Sequence, residues 1–399
     1  MTTRRHFLRV AAAGTGSSLL GACGGLDRGT PVPTGQALRA TVLGLPNERY
    51  FPMSGAEGLD REFEAAARRQ LQRRNLKSLG EIDAKFLAVS GGGEDGAFGA
   101  GLLCGWSEHG DRPVFDLVTG VSTGALTAPM AYLGSAYDPQ LRHVYTEITP
   151  DKVLIPRGVS AALFNDALAD NSPLFKTISD VLDDKMLTNI AAGYRDGRLL
   201  LIGTTDLDAQ QPVIWNIGAI AASGHPKALD TVRRILLASA AIPGAFPPSM
   251  FEVTLDGKAY QEMHVDGGAF VQSFLYPGSL TENRRERMAR RQKVPKVEAF
   301  VIRNGRLDPD WAEVRRQMLG IAGRAISTMI TASGYNDLVR VYYTTKRDDI
   351  GFQLAYIGSD FDRKLPSPFD QAYMRALFDY GFQKARAGYH WASKPPYVG

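Results

Sequence analysis

Two short apolar stretches, each ending in a tight turn and followed by small residues, constrain the fold of this 399-residue chain most strongly. The first occupies residues 85–90 and leads through glycines into 97–106, and the second occupies 115–120 and leads into 125–133. Strands and helices alternate in this way when parallel strands form a sheet that helices cover on both faces. The sequence therefore predicts an α/β fold with a mostly parallel central sheet.

The remaining apolar pattern extends the same architecture. Strands are predicted over residues 198–204, 213–217 and 298–303, and helices over 60–79 and 229–240. The composition, with 44% hydrophobic and 22% charged residues, is typical of a globular protein and excludes a disordered chain.

The second tight turn contains the pentapeptide Gly120-Val121-Ser122-Thr123-Gly124 at a strand-to-helix junction. This arrangement is typical of a nucleophile elbow, in which a strained turn presents a serine hydroxyl. Gly120 and Gly124 leave room for the backbone that passes close by on either side. Because Ser122 precedes a helix, the helix dipole favours an alkoxide-like oxygen. The pattern predicts that Ser122 is a nucleophile.

The first tight turn contains three consecutive glycines, Gly91–Gly93, whose backbone N–H groups are free of side chains. Such a turn can surround a negative oxygen, for example the oxyanion of acyl transfer. With Gly96 it also satisfies the dinucleotide pattern GxGxxG, but that motif requires an acidic residue at the end of the next strand, and Asp116 lies near its start. A phosphate-binding loop would require Lys where this chain has Ala97.

A third motif, Asp266-Gly267-Gly268, is by itself typical of a turn. The other two motifs supply a nucleophile and oxyanion donors but no base. Asp266 can accept the proton of Ser122 directly if the fold brings its carboxylate within hydrogen-bond reach. His264 lies two residues earlier and is expected to have a structural role.

These motifs, in this order and together with the segment ASAAIPGAFPP at residues 238–248, resemble the patatin-like phospholipase family. The resemblance extends from about residue 85 to about residue 271, roughly half of the chain. It implies a three-layer α/β/α fold and a Ser-Asp catalytic dyad instead of a triad.

The resemblance also implies roles for individual residues. Ser122 matches the nucleophile, Asp266 matches the aspartate of the dyad, and Gly91, Gly92 and Gly93 match the glycines of the oxyanion hole. The implied activity is hydrolysis of acyl esters in phospholipids or neutral lipids through an acyl-enzyme, without a metal or other cofactor.

The chain departs from the family at one position of the first turn. The family often has Arg or Lys immediately before the last glycine, where this chain has Asp95. A negative charge does not stabilise an oxyanion, so the departure leaves no anion-stabilising role for this side chain.

Two alternative functions remain open. An esterase with a Ser-His-Asp triad would use His390, which follows Ser122 and Asp266 in the order found in α/β-hydrolases. A catalytically silent lipoprotein would use the same fold to bind lipid or a protein partner. A metal site has no support in the sequence, because the six histidines show neither HExxH nor paired spacing.

Residues 1–23 resemble a bacterial export signal with a lipidation site. Arg4 and Arg5 precede an apolar stretch that is too short to span a bilayer, as in a twin-arginine signal. The tetrapeptide Leu20-Gly21-Ala22-Cys23 resembles a lipobox, which predicts lipidation of Cys23. The protein is therefore expected to be exported and anchored by lipid to a bacterial membrane, on the periplasmic side or at the outer membrane.

The predicted domain organisation follows from changes in composition. Residues 24–55, rich in Gly, Pro and Thr, are expected to form a tether. Residues 56–345 are expected to form the patatin-like catalytic domain, and residues 346–399 a C-terminal extension packed on it. The polar segment 281–293 is expected to be an exposed loop or helix, or a patch that contacts anionic headgroups.

The charge of the chain excludes one class of partner. The formal net charge is +4, and Arg4, Arg5 and Arg9 of the signal contribute three of these charges, which leaves about +1 for the rest. A nearly neutral protein has no electrostatic basis for binding nucleic acid. The expected partners are an acyl-ester lipid substrate and, through the anchor, a membrane surface, whereas the oligomeric state is left open.

Overall fold

The computed structural model describes residues 28–158, 165–278, 280–309, 311, 313–314 and 316–398. The signal predicted at residues 1–23, including Cys23, lies outside the described residues.

A central β-sheet organises the described chain, and its strands lie in the order β1-β7-β6-β3-β2-β10-β11. The strands are β1 (Arg49–Tyr50), β2 (Asp83–Val89), β3 (Leu117–Val121), β4 (Ile155–Pro156), β5 (Ala169–Asp170), β6 (Leu199–Asp206), β7 (Gln211–Asn216), β8 (Ser249–Leu255), β9 (Lys258–Asp266), β10 (Lys296–Arg306) and β11 (Gly351–Ile357). Neighbours from β6 to β11 are parallel. The strands β1, β7 and β9 run antiparallel to their partners, and β8 and β9 form a hairpin attached to β6.

Helices cover both faces of this sheet. They are α1 (Glu57–Arg74), α2 (Gly96–His109), α3 (Thr123–Leu133), α4 (Asp138–Thr146), α5 (Ser172–Val181), α6 (Asp184–Arg195), α7 (Ile217–Ala222), α8 (Ala228–Ser239), α9 (Leu280–Ala289), α10 (Met318–Arg347) and α11 (Gln371–Arg386). The helices α2, α3, α8 and α11 share one hydrophobic core with alternate strand residues such as Leu87, whereas α1 and α10 pack on the other face, to which Ala88 contributes. The predicted α/β/α fold with a mostly parallel sheet is confirmed.

The parallel strands give the sheet two chemically different edges. At the carboxyl edge, where β2, β3, β6 and β10 end, both glycine-containing turns lie side by side. At the amino edge, the same strands begin. In open α/β sheets, ligands bind at the carboxyl edge, so this edge is where a functional site is expected.

The N-terminal segment differs from the tether expected over residues 24–55. Strand β1 pairs with β7, and Ala40, Val42 and Phe51 are buried in the main core. The Gly and Pro residues had suggested a flexible chain, but these apolar side chains between them pack against the sheet instead. The described part of the segment, from Arg28 onwards, therefore belongs to the folded body.

Residues 346–398 share both the sheet and a helical layer with the rest of the described chain. Strand β11 extends the sheet beside β10, and α11 packs closely along α2. At two points of this contact the backbone of α11, at Phe378 and Phe382, lies directly against Gly101 and Gly105.

The basic segment 281–293 forms most of α9 and the turn after it, next to the start of β10 at the amino edge. Arg284 donates to the backbone carbonyls of Pro295 and Asp348, which fixes this segment to the body of the protein. Among the helices of the described chain, none is long and apolar enough to cross a membrane.

Candidate active site

Ser122 lies on a strained turn between β3 and α3. Its backbone has φ 55° and ψ −126°, a conformation that side chains other than glycine rarely adopt. A Cβ atom at Gly124 would overlap the carbonyl oxygen of Val89 on the neighbouring strand, so the turn requires glycine there. Such a strained strand-to-helix turn is the geometry that a nucleophile elbow requires.

Ser239, at the end of α8, holds this turn in place. Its hydroxyl accepts a hydrogen bond from the N–H of Ser122 at 3.0 Å and donates to the carbonyl of Gly203 at 2.6 Å. Ser239 is fully buried and connects the end of β3 to β6. Ser239 belongs to the segment at 238–248 that carries the family resemblance, but the sequence alone indicated no role for it.

Asp266 ends β9 opposite Thr204, which places its carboxyl group beside the hydroxyl of Ser122. The carboxyl accepts the N–H of Gly268 at 2.7 Å, and the backbone N–H of Asp266 donates to the carbonyl of Ala241 at 2.9 Å. Burial raises the pKa of Asp266 from 3.8 to about 7, against the opposing effects of its hydrogen bonds to Ser122 and Gly268. The fold thus brings the two residues together from positions 144 apart in the chain.

The glycine turn after β2 lies beside Ser122, but its N–H groups are not equivalent. The N–H of Gly91 donates to the carbonyl of Gln272 at 3.1 Å and is therefore occupied, contrary to the role predicted for it. Within the described chain, no acceptor takes the N–H of Gly92 or Gly93. A Cβ at Gly92 would overlap the carbonyl oxygen of Asn304, so the turn lies directly against the end of β10. Gly91 keeps the space beside Ser122 open, since its own Cβ would lie 3.2 Å from that of Ser122.

A buried guanidinium lies behind this turn. Arg303, near the end of β10, donates from Nη1 to the hydroxyl of Ser90 and to the carbonyl of Gly91, both at 3.3 Å. Its Nε atom is buried without a hydrogen-bond partner among the described residues. The side chain therefore places a positive charge close to the glycine turn, a role that the sequence analysis missed.

Asp95, the residue that departs from the family pattern, accepts a hydrogen bond from the hydroxyl of Tyr373 at 2.7 Å. Burial raises the pKa of its carboxyl group, whereas Tyr373 and the charges of Arg303 and Arg306 oppose that rise. The charge of Asp95 is thus compensated by neighbours from β10 and α11.

His390 is far from Ser122. It lines a cavity at the amino edge together with Lys85 and Glu298, which lie near the starts of β2 and β10. Ser122 lies at the opposite edge, after the end of β3. The structure therefore does not bring His390 to Ser122, because the length of the sheet separates them.

A second polar cluster lies on β6 and β9. Ligand-type atoms of Asp206, Glu262 and His264 lie within 4.8 Å of one another. However, Glu262 already accepts hydrogen bonds from Arg49 and His264, and the other ring nitrogen of His264 bonds Thr204 at 2.9 Å. The charge of Arg49 disfavours a cation here, so we interpret the cluster as an internal hydrogen-bond network, consistent with the structural role expected for His264.

One known protein family matches the part of the chain that carries this site. The family model described as patatin-like phospholipase matches residues 87–275, a span that contains the glycine turn, Ser122 and Asp266. Among solved structures, the chain is similar to VipD from Legionella pneumophila, with 11% sequence identity, a TM-score of 0.32, and coverage of 77% of this chain and 67% of that one. The comparison with curated proteins gave no match. Over residues 87–275, just under half of the chain, the sequence is therefore similar to the patatin-like phospholipase family.

Proposed function

We propose that this protein hydrolyses acyl esters of phospholipids, with Ser122 as the nucleophile and Asp266 as its base. The family supports a lipid acyl hydrolase in general. The observation that carries the finer proposal is the pairing of a strained serine, at the position that precedes α3, with a buried carboxyl group whose pKa is about 7. A base is most effective when its pKa is near the pH at which it works.

In the first step, the Ser122 oxygen attacks the carbonyl carbon of the ester while Asp266 accepts the serine proton. The tetrahedral intermediate then expels the lysolipid alcohol, which takes that proton from Asp266, and an acyl-enzyme remains. In the second step, Asp266 accepts a proton from water as the water attacks the acyl-enzyme. Fatty acid leaves, and the proton returns to Ser122.

The N–H groups of Gly92 and Gly93 are proposed as donors to the oxyanion. They have no competing acceptor in the described chain, and they follow Gly91, which lies beside Ser122. The guanidinium of Arg303 adds positive potential from behind the turn, because a buried charge acts across a medium of low dielectric. Each donor of this kind is worth about 10²- to 10³-fold in turnover.

Fatty-acid release from phospholipid mixed micelles tests the proposal. We expect Ser122→Ala to lose about 10⁴-fold or more of the activity. His390→Ala is expected to remain fully active, because His390 lies at the opposite edge of the sheet. Loss of activity in both variants, with folding intact, would contradict the dyad and favour a triad. A wild-type chain that neither releases fatty acid nor reacts at Ser122 with a serine-directed phosphonate would instead indicate the silent lipoprotein.

We also propose that Cys23 carries the acyl chains of a bacterial lipoprotein, as the lipobox predicts. The exported chain would then need detergent for extraction from membranes, whereas Cys23→Ser would remain unprocessed and lack the thioether-linked lipid. Mass spectrometry of the N-terminal peptide measures this directly. An unmodified Cys23 in exported protein would contradict the anchor without affecting the proposed chemistry.

A further inference from the structure

Large apolar side chains are exposed around the carboxyl edge of the sheet. Met53 follows β1, Leu207 follows β6, and Phe270 lies four residues after Asp266, and all three are exposed. Ser54, next to Met53, bonds Gln211 at the start of β7, which confirms that this loop lies at the same edge as the end of β6. Exposed apolar groups at one edge of a sheet can together form a contact surface.

The first half of α10 carries a second group of exposed apolar side chains. Between residues 320 and 332 the described side chains are almost all exposed, and they include Ile321, Ile326, Met329 and Ile330. Arg324 is the one charged residue in that stretch of sequence. An exposed helix in water is normally rich in charged residues, so this composition is unusual for a helix that stays in water.

The second half of α10 connects this exposed part to the candidate active site. Arg303 packs directly against Gly334, and Asp337 accepts the backbone N–H of Gln272 at 2.6 Å. The side chain of Gln272 in turn donates to the carbonyl of Gly268, two residues after Asp266. The exposed part of α10 therefore ends just before Gly334, where the helix meets Arg303 beside the candidate active site.

The first described residue, Arg28, also lies at this edge. Arg28 forms an ion pair with Asp208, two residues beyond the end of β6. Cys23 precedes Arg28 by five residues, and five residues span at most about 18 Å even when fully extended. A lipid on Cys23 would thus hold the carboxyl edge close to the membrane in which the lipid is inserted.

We propose that the carboxyl edge and residues 320–332 of α10 form a docking surface for a phospholipid bilayer. The exposed apolar side chains enter the interfacial region of the bilayer, and the edge of the sheet that carries Ser122 then faces the lipid. This inference rests on the proposed function, since it takes the bilayer as the source of substrate. A second copy of the chain fits the observations less well, because a symmetric contact at this edge would cover Ser122.

Sedimentation with phosphatidylcholine vesicles tests this inference. The parent protein is the full chain with Cys23→Ser and Ser122→Ala, so that neither an acyl anchor nor hydrolysis contributes to binding. We expect Ile326→Glu with Met329→Glu to weaken vesicle binding about tenfold or more, because the change removes buried apolar area and places two charges in the interface. The matched control is Val114→Glu with Tyr343→Glu, which changes two exposed apolar residues away from this surface and should bind like the parent.

Each result has a defined meaning. A parent that does not sediment, or a glutamate variant that sediments as well as the parent with an unchanged circular dichroism spectrum, would overturn the docking surface. Light scattering that shows a parent dimer, dissociated by the same glutamates, would assign the surface to a second copy instead. Phosphonate labelling of Ser122 in the Cys23→Ser chain separates the two proposals. Labelling without sedimentation would overturn the docking surface alone. Sedimentation without labelling or fatty-acid release would overturn only the hydrolase.

Discussion

Asp266→Asn is expected to reduce turnover by about 10³- to 10⁴-fold while leaving the fold intact. Asparagine has the same shape and can still accept the N–H of Gly268, but it cannot take the proton of Ser122. The measurement is kcat/KM on a phospholipid or a soluble ester. Retention of activity in this variant would show that another group serves as the base.

The pH dependence of the parent supplies the control for that experiment. Because Asp266 must be ionised to act as a base and its pKa is about 7, kcat/KM of the parent should rise about tenfold per pH unit below pH 7 and level off above it. The residual activity of Asp266→Asn should lack this step. A parent profile that is already level at pH 5 would contradict the assignment of Asp266.

Asp266→Asn should lower activity but raise the free energy of unfolding. The folded-state pKa of Asp266 lies above the value of 3.8 for an unperturbed carboxyl, so the unfolded chain releases its proton before the folded protein does. Stability from this group is therefore complete below about pH 4 and is lost as the pH rises to about 7. Above pH 7 Asp266→Asn should be more stable than the parent by an amount on the order of a few kcal/mol, an increase that a merely damaging substitution would not produce.

Gly101→Ala is expected to destabilise the protein by about 3 kcal/mol, the second large effect that the structure predicts. The added methyl group would overlap the backbone carbonyl of Phe378, where α2 and α11 touch. Neither backbone can move without disturbing the core that both helices share with the sheet. The midpoint of thermal or urea unfolding measures the change.

Gly323→Ala is the matched control for that prediction. Gly323 also lies inside a helix, α10, but its added methyl group would meet no atom within 4 Å. The gain in helix propensity, up to about 1 kcal/mol, should therefore appear without a clash. If both variants unfolded at the same midpoint, the close contact between α2 and α11 would be refuted, and α11 would be a separable part.

The sequence was sufficient to predict the features that depend on local patterns. The strand-turn-helix units around Gly91–Gly93 and Ser122 were correct in type and within a few residues of the observed bounds. The strained elbow at Ser122 could be predicted because its pattern spans five consecutive residues, although Gly124 is required by the backbone of Val89 on the neighbouring strand.

The missed features depend on contacts between distant segments. The N–H of Gly91 is occupied by the carbonyl of Gln272, which the sequence places 181 residues away. The guanidinium of Arg303 reaches the glycine turn only because β10 pairs with β2. A charged residue at the end of an apolar strand was the available signal for Arg303. For the N-terminal segment, the abundance of Gly and Pro concealed the few apolar residues, such as Phe51, that fasten it to the sheet.

The segment between Ser239 and Ala241 joins the two halves of the candidate dyad. Ser239 receives the N–H of Ser122, and the carbonyl of Ala241 receives the N–H of Asp266, so both reactive residues are bonded to one stretch of three residues. So short a stretch of backbone cannot lengthen, so it acts as a rigid spacer between the backbones of Ser122 and Asp266. These two hydrogen bonds therefore hold the backbones of Ser122 and Asp266 at a nearly fixed separation, and only rotation of their side chains can change the gap between the hydroxyl and the carboxylate.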